Sequence, residues 1–302
     1  MSDAAIVLVA NATDRSVRVR LEIDLRAGGR IRQITIEDDD GSVGLLAPAT
    51  DAEPSSTGWG SFPMAPWVGR VRHGRFSFLG RDVRLDLNHA DGSGTGGGPI
   101  IPPLAAPHGP IGDAEQHRHA IHGTTFGRPW DVVARSDDAV EMTCRLEGAL
   151  GWPYAGIARQ RISLSPHRAA FELAVEPADG VVLPASVGWH PWFAKPDELD
   201  FDPIAMYARD ELGLPTGTLV EPADPPWDDC FIAHSPVVLR YSRRLATRVE
   251  VSSDDCDHWV VYDMPSHATC VEPQSGPPDA PNIRPELATS THPVRRTMNI
   301  SW

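Results

Sequence analysis

Lysine is nearly absent from this chain: Lys195 is the single lysine, and arginine supplies the other basic side chains. A Schiff-base enzyme would have to depend on that one residue. The sequence also contains no G-x-x-x-x-G-K-[ST] phosphate loop. Covalent lysine chemistry and P-loop nucleotide chemistry are therefore not expected.

Positive charge, cysteine and long apolar runs are also scarce. The 41 acidic residues outnumber the 27 basic ones, and the net charge of −14 argues against nucleic acid or an anionic membrane as the main partner. Four cysteines without C-x-x-C spacing favour a reduced cytoplasm over a disulfide framework or a zinc ribbon. No run approaches the ~20 apolar residues of a membrane helix. The apolar run at 4–10 lacks a preceding basic residue, so it predicts an opening strand rather than a signal peptide. Oligomeric state stays open.

Short strands are the elements that the sequence does predict. Its 29 prolines disfavour long helices, and no convincing amphipathic helix is found. Period-two alternation of apolar and polar residues predicts strands at 17–25, 31–36, 75–78, 130–134, 140–146, 157–164, 170–175, 237–241 and 247–251. Many short strands with regular turn signals predict an all-β fold, an antiparallel β-sandwich that forms one domain over 1–302.

A Gly/Pro-rich segment at about 88–118 interrupts this pattern. Residues 92–97 formally match G-x-G-x-x-G, but Pro99, Pro102 and Pro103 follow where a dinucleotide site needs a helix. The composition therefore predicts a surface loop insertion.

His190 lies in the aromatic stretch Ser186–Phe193, SVGWHPWF. One interpretation is a core histidine with a satisfied hydrogen bond. The other is a site that stacks a ligand on the aromatic rings and moves a proton. Gly188 and Pro191 predict a bend, which would place the imidazole at a strand end.

Glu272, in the stretch CVEPQSGPPDAPN, follows an apolar run and precedes Pro273, which is expected to end the strand. A glutamate is rarely buried without a task. It is therefore either a general base or a rim carboxylate paired with an arginine.

Three further clusters offer binding chemistry. His117, His119 and His122 have the spacing of a metal site such as that of the cupins, although no carboxylate follows before Asp131. Acidic and aromatic residues stand side by side in the stretch from Trp227 to Phe231, WDDCF. Arginines are placed at Arg70, Arg72 and Arg75, with Arg70 and Arg72 expected on one strand face.

Taken in order, these stretches resemble the aldose 1-epimerase (galactose mutarotase-like) family from about residue 58 to about residue 282. The matching elements are Gly69-Arg70 with Gly74-Arg75-Phe76, His122-Gly123 with Trp130, the His-x-x-Phe of His190 to Phe193, the Asp-x-x-Phe of Asp228 to Phe231, and Glu272-Pro273 with Pro278-Asp279-Ala280. The GWHPWF form is nearer the branch of hexose-phosphate mutarotases and uncharacterised bacterial epimerase-like proteins.

The resemblance implies a large antiparallel β-supersandwich and an isomerase that uses no metal and no organic cofactor. It implies Glu272 as general base and His190 as general acid. The implied substrate-binding residues are Arg70, His122 and Asp228, with Trp192 and Phe231 as an aromatic wall for the sugar ring. Whether His119 or His122 contacts the sugar stays open.

The expected reaction is interconversion of the α and β anomers of a hexose or hexose phosphate by general acid/base ring opening. Three alternatives remain: a non-catalytic sugar-binding protein of the same fold, a metal-dependent cupin-like enzyme, and a glycoside hydrolase built from Glu272 and Asp228. The arginines at 70, 72 and 75 would suit a phosphosugar. They could equally pair with the surplus acids.

Overall fold

A computed structural model describes residues 5–12, 17–49, 58–90 and 118–302. In these residues the first thirteen strands are β1 (Ala5–Asn11), β2 (Arg18–Asp24), β3 (Arg30–Asp38), β4 (Gly41–Gly44), β5 (Ser61–Met64), β6 (Arg70–Val71), β7 (Arg75–Phe78), β8 (Arg81–Arg84), β9 (His89–Ala90), β10 (Arg118–Ile121), β11 (Asp131–Arg135), β12 (Ala139–Arg145) and β13 (Gly156–Ser165). The remaining strands are β14 (Arg168–Pro177), β15 (Leu183–Ala185), β16 (Gly188–Ala194), β17 (Glu198–Asp200), β18 (Ala205–Arg209), β19 (Pro215–Val220), β20 (Asp228–Ile232), β21 (Val237–Arg240), β22 (Arg248–Ser252), β23 (His258–Tyr262), β24 (Ala268–Gln274), β25 (Glu286–Ala288) and β26 (Val294–Ser301).

Two large antiparallel sheets form a β-supersandwich, as expected. Within the described ranges, the larger sheet has eleven strands in the order β1-β2-β3-β5-β16-β24-β23-β20-β18-β19, with β4 added beside β3. The smaller has eight, in the order β11-β12-β13-β14-β26-β22-β21-β17. Short ladders join β6-β10-β9, β15-β25 and β7-β8. Helix is confined to a 3₁₀ turn at Arg72–Gly74 and to α1 (Ala280–Ile283) in the part of the chain that is described.

The strands predicted from alternation are confirmed, including the opening strand. The burial of β2, for example, alternates along Arg18–Asp24, with Val19, Leu21 and Ile23 buried. The Gly/Pro-rich insertion and the 92–97 match lie almost entirely outside the described residues. No helix in the described ranges is long and apolar enough to cross a bilayer.

Three local expectations were wrong. His190 lies inside β16, and not at a strand end. Pro273 does not end β24, which continues to Gln274. Arg70 and Arg72 do not share a strand face, because β6 stops at Val71 and the 3₁₀ turn begins at Arg72.

The apolar core lies between the two large sheets. It unites buried side chains of the larger sheet, such as Leu21 and Trp259, with others of the smaller sheet, such as Phe171 and Ile300. Trp189 of β16 crosses this core, and its indole N–H donates to Gln160 Oε1 of β13 at 2.8 Å. Because side chains alternate along a strand, His190 points to the other face of the larger sheet.

Candidate active site

Neighbouring strands bring the predicted catalytic residues to that outer face. Residues paired across an antiparallel ladder point to the same side of the sheet. In one row, Phe62 pairs with His190, and Glu272 pairs with Val260, which in turn pairs with Cys230. The next row joins Trp192, Cys270, Tyr262 and Asp228. The site is thus built on β5, β16, β24, β23 and β20.

His190 and Glu272 are in direct contact on this face. His190 Nε2 lies 3.3 Å from Glu272 Oε1, and both side chains are fully buried. The sequence predicted the two residues, and the structure brings them together. A rim position for Glu272, the alternative interpretation, is wrong because its exposed fraction is 0%.

Cys270 and Gln274, two residues on either side of Glu272, hold this pair. The Cys270 thiol lies 3.1 Å from His190 Nδ1 and donates to Glu272 Oε1 at 3.4 Å. The Gln274 amide donates to Glu272 Oε2 at 2.8 Å. A thiol has one hydrogen, so a thiol that donates to Glu272 accepts from the N–H at His190 Nδ1. Nε2, which faces Glu272, is then the imidazole nitrogen that is available for proton transfer.

Burial raises the pKa of Glu272 well above its ordinary value. The hydrogen bonds from Cys270 and Gln274 lower the pKa in part, the charge of Asp228 raises it further, and that of Arg70 lowers it. A carboxyl poised in this way is a stronger base once ionised than an exposed glutamate. Burial likewise raises the pKa of Cys270 well above its usual range, aided by the charge of Glu272, so Cys270 is a thiol.

Aromatic rings enclose the imidazole of His190. Phe62 stacks on it at 4.7 Å and Trp192 at 5.6 Å, measured between ring centroids. His122 meets it edge-on at 4.8 Å. His122 has a positive φ of 59° and is held by a backbone bond from its N–H to Gly69 O.

The two remaining predicted polar residues lie beside the pair, each with a protein partner. Arg70 is 4% exposed, donates to Gly213 O at 3.1 Å, and its charge acts on Glu272. Asp228 forms an ion pair with Arg209, with 3.6 Å between Nη1 and Oδ2. The turn at 210–214 therefore approaches the site from β18 and β19.

Arg72 pairs with two carboxylates and ties this turn to Asp279, the residue before α1. Its guanidinium lies 2.6 Å from Asp210 Oδ2 and 3.6 Å from Asp279 Oδ2. Its backbone N–H also donates to Asp279 at 3.0 Å. The P-D-A element of the sequence thus includes a carboxylate with a structural partner.

Phe231 is the one predicted substrate contact that the structure contradicts. Its side chain is fully buried and packs with Trp227 and Val261. It is one residue from Cys230, which shares the row of Glu272, so Phe231 points to the opposite face of the sheet. Trp192 does lie on the site face, although it is 2% exposed and packs against Cys270.

The histidine trio proposed for a metal is divided. His117 lies outside the described residues, and His119 stacks on His73 at 5.4 Å. His122 contacts His190 instead. Among the described residues, the ligand atoms that come within 4.8 Å of one another belong to His190, Cys270 and Glu272. Such N, S and O donors could hold a thiophilic cation, in the same place as the acid/base pair.

Comparison with known proteins gives the family. A family model described as "Aldose 1-epimerase" matches residues 25–240, more than half of the chain. The chain therefore belongs to the aldose 1-epimerase family, and the resemblance seen in the sequence is confirmed. The match ends before β24 and does not include Glu272.

Curated relatives are distant and uncharacterised. The chain is 24% identical to the uncharacterised Escherichia coli protein YihR over 160 residues, 51% of this chain and 44% of that protein. It is 25% identical to the uncharacterised E. coli protein YphB over 136 residues, 44% of this chain and 36% of that protein. The matched regions thus span less than half the length of either relative.

Solved structures share the fold along nearly the whole chain. A galactose mutarotase-like protein from Clostridium acetobutylicum superposes with a TM-score of 0.72 at 13% identity, over 98% of both chains. Galactose 1-epimerase from Lactobacillus acidophilus gives 0.66 at 14% identity, over 96% of this chain and 92% of the other. The chain therefore has the fold of the galactose mutarotase-like proteins and not that of a cupin.

Proposed function

We propose that the protein is a cofactor-independent aldose 1-epimerase that interconverts the α and β anomers of a hexose or hexose phosphate. The observation that carries the proposal is the contact between His190 and Glu272, 3.3 Å apart and both buried. Cys270 and Gln274 orient the pair by hydrogen bonds. A protein that only bound sugar would have no need of a buried proton donor beside a buried proton acceptor.

The proposed reaction balances with these two groups alone. The Glu272 carboxylate takes the proton of the C1 hydroxyl while His190 Nε2 protonates the ring oxygen. The bond from C1 to the ring oxygen breaks and leaves an open-chain aldehyde. After rotation about C1–C2, the two proton transfers run in reverse on the other face of the carbonyl. Each group then returns to its initial state.

The geometry suits this reaction because both reacting oxygens are bonded to C1. The acid and the base must therefore lie together, each within hydrogen-bond reach of about 2.6–3.2 Å of its own oxygen. In the proposed complex the sugar replaces the direct contact of Nε2 with Oε1. His122, Arg70 and Asp228 are the proposed hydroxyl contacts, and Trp192 the proposed stacking surface. The four cysteines are buried and free, which supports the cytoplasmic location that we propose.

Mutarotation measured by polarimetry or exchange NMR tests the function. Galactose, glucose and glucose 6-phosphate should be compared side by side, and at least one should equilibrate faster with the protein. Glu272→Gln should lower the rate by about 10²–10⁴-fold, the usual contribution of a general base. Glu198→Gln is the matched control, because that side chain is 69% exposed on β17 of the other sheet.

Two results would redirect the proposal. Sugar binding without acceleration would identify a non-catalytic binding protein, and release of free sugar from an oligosaccharide would identify a hydrolase. Activity lost on chelation and restored by a divalent cation would mean that the His190, Cys270 and Glu272 cluster acts through a metal. A full rate in Glu272→Gln would reject Glu272 as the base.

A further inference from the structure

A cavity of about 640 Å³ is lined in part by Arg30 and Phe126, and both of these side chains contact Phe62 of the row that contains His190. It is formed by the turn between β2 and β3, by residues 124–128 after β10, and by residues 149–150. Its volume is in the range of small-molecule sites, about 300–1,000 Å³. Three arginines line it, Arg26, Arg30 and Arg128, and no acidic side chain of the described residues does. Such a cluster is notable in a chain of net charge −14.

Arg30 is buried there, and no acidic side chain of the described residues forms an ion pair with it. It is 2% exposed, and its guanidinium lies over the rings of Trp59 and Phe62, 4.4 and 4.6 Å from their centroids. Nη1 donates to Trp59 O at 2.8 Å, whereas Nε has no hydrogen-bond partner in the described structure. Burial lowers the pKa of Arg30 to about 9, and the charge of Asp24 offsets this in part. A buried cation in this state is costly until an anion pairs with it.

Thr124 supplies an independent observation on the same cavity. It is 2% exposed, and its hydroxyl Oγ1 has no hydrogen-bond partner among the described residues. Its backbone N–H is already bonded to Ala65 O, so only the side chain is left to serve a ligand. A buried hydroxyl and a buried guanidinium, both unsatisfied, therefore line one cavity.

The other two arginines complete a cationic lining. Arg26 is exposed at the rim of the cavity. Arg128 uses Nη1 to bind the carbonyls of Arg145 and Glu147, at 2.7 and 3.3 Å. Each guanidinium carries five N–H donors, so one bonded nitrogen leaves donors for an oxyanion.

We propose that this cavity binds the phosphate group of a small molecule. Three guanidiniums and a hydroxyl fit a tetrahedral oxyanion of charge about −1.5 to −2 better than a singly charged carboxylate. The site is separate from the acid/base pair. β5 lies between β3 and β16, and Phe62 stands between Arg30 and His190. The inference thus goes beyond the proposed epimerase reaction and does not depend on it.

Isothermal titration calorimetry with inorganic phosphate, at fixed ionic strength, tests the site directly. The native protein should bind one phosphate. Arg30→Gln should weaken binding at least about tenfold, because it removes a charge-assisted contact. Arg26→Gln, at the exposed rim, should weaken it about threefold and carries little risk to folding. Arg32→Gln is the matched control, since Arg32 lies on the same strand outside the cavity and should leave the affinity unchanged.

Two results would overturn the proposal: no phosphate binding by the native protein, or equal affinity in the native protein and Arg26→Gln. The comparison of the native protein with Arg26→Gln remains informative even if Arg30→Gln does not fold. Glu272→Gln should still bind phosphate, so loss of mutarotation and loss of this site are distinguishable. Competition by glucose 6-phosphate, but not by glucose, would assign the phosphate to a phosphosugar. If glucose 6-phosphate does not compete with phosphate, the site is assigned to free phosphate.

Discussion

At the scale of single residues, Cys270 connects His190 and Glu272, the two groups proposed for acid/base catalysis. Its thiol contacts both the imidazole of His190 and the carboxylate of Glu272. Because the sulfur of Cys270 accepts a hydrogen bond from the N–H at His190 Nδ1, the other nitrogen, Nε2, is the one left to face the proposed substrate. In the proposed reaction it acts through these two neighbours, as a positioning residue that does not contact the sugar.

Cys270→Ala should lower kcat by roughly tenfold with little change in KM, since the loss is in orientation of the pair. Cys270→Ser should retain most of the rate, because a hydroxyl donates and accepts in the same way. Steady-state mutarotation kinetics of both variants measure this. Equal rates in the alanine and serine variants would show that the thiol contributes only packing.

Glu272→Gln should make the protein more stable at neutral pH while removing activity. The folded-state pKa of Glu272 is raised by burial, so its protonated form favours the folded protein. That contribution is complete below the ordinary glutamate pKa and is lost as pH rises through the raised value. Glutamine does not titrate, so the Tm advantage of Glu272→Gln should grow from pH 4 to pH 8. Thermal unfolding across this range checks the sign, and a constant Tm difference would contradict it.

His190, Glu272 and several of their neighbours could be predicted from the sequence, but Phe62, Cys270 and Gln274 could not. Cys270 and Gln274 lie two residues before and after Glu272, so their side chains share its face of the sheet once β24 is known to continue through Pro273. Pro273 concealed that continuity, because a proline usually marks a strand end or an edge. Phe231 was assigned to the wrong face for a related reason: its register relative to Glu272 is set by β23, which lies between them.

At the scale of elements, the strands that carry the site are those that alternation failed to reveal. β5, β16 and β24 are buried on both faces, so their sequences show nearly continuous burial instead of period two. Strands such as β2 and β13 have one face more open to solvent, and these were predicted correctly. The aromatic residues and prolines of these buried strands indicated a functional site in the sequence. The same residues interrupt the alternation by which strands are predicted.

Gly123 holds the turn that presents His122, and Gly123→Ala should be strongly destabilising. Its φ is +79°, and a Cβ there would lie 2.0 Å from Ala65 O. We expect a loss of about 3 kcal/mol in the free energy of unfolding. Gly80→Ala is the control: its φ is +75°, but a Cβ would meet no atom within 4 Å, so about 1 kcal/mol is expected. Denaturant unfolding of both variants gives the comparison, and equal losses would contradict the close approach.

At the scale of the whole molecule, one apolar core shared by both large sheets should make unfolding a single cooperative event. Trp189 spans that core and bonds to Gln160 of the other sheet. Far-UV circular dichroism and tryptophan fluorescence should therefore give coincident denaturant transitions. Two separated transitions would refute the prediction that the chain forms one domain.

The order of strands in the larger sheet also governs how the protein can be divided. β5, β16, β24 and β20 are neighbours or near neighbours in space, yet they are drawn from widely separated stretches of the polypeptide. No contiguous excised peptide can reproduce the constellation around His190. If the gene is split between β20 and β24, neither of the two polypeptides should show the proposed mutarotase activity, and the activity should return only on their reassembly.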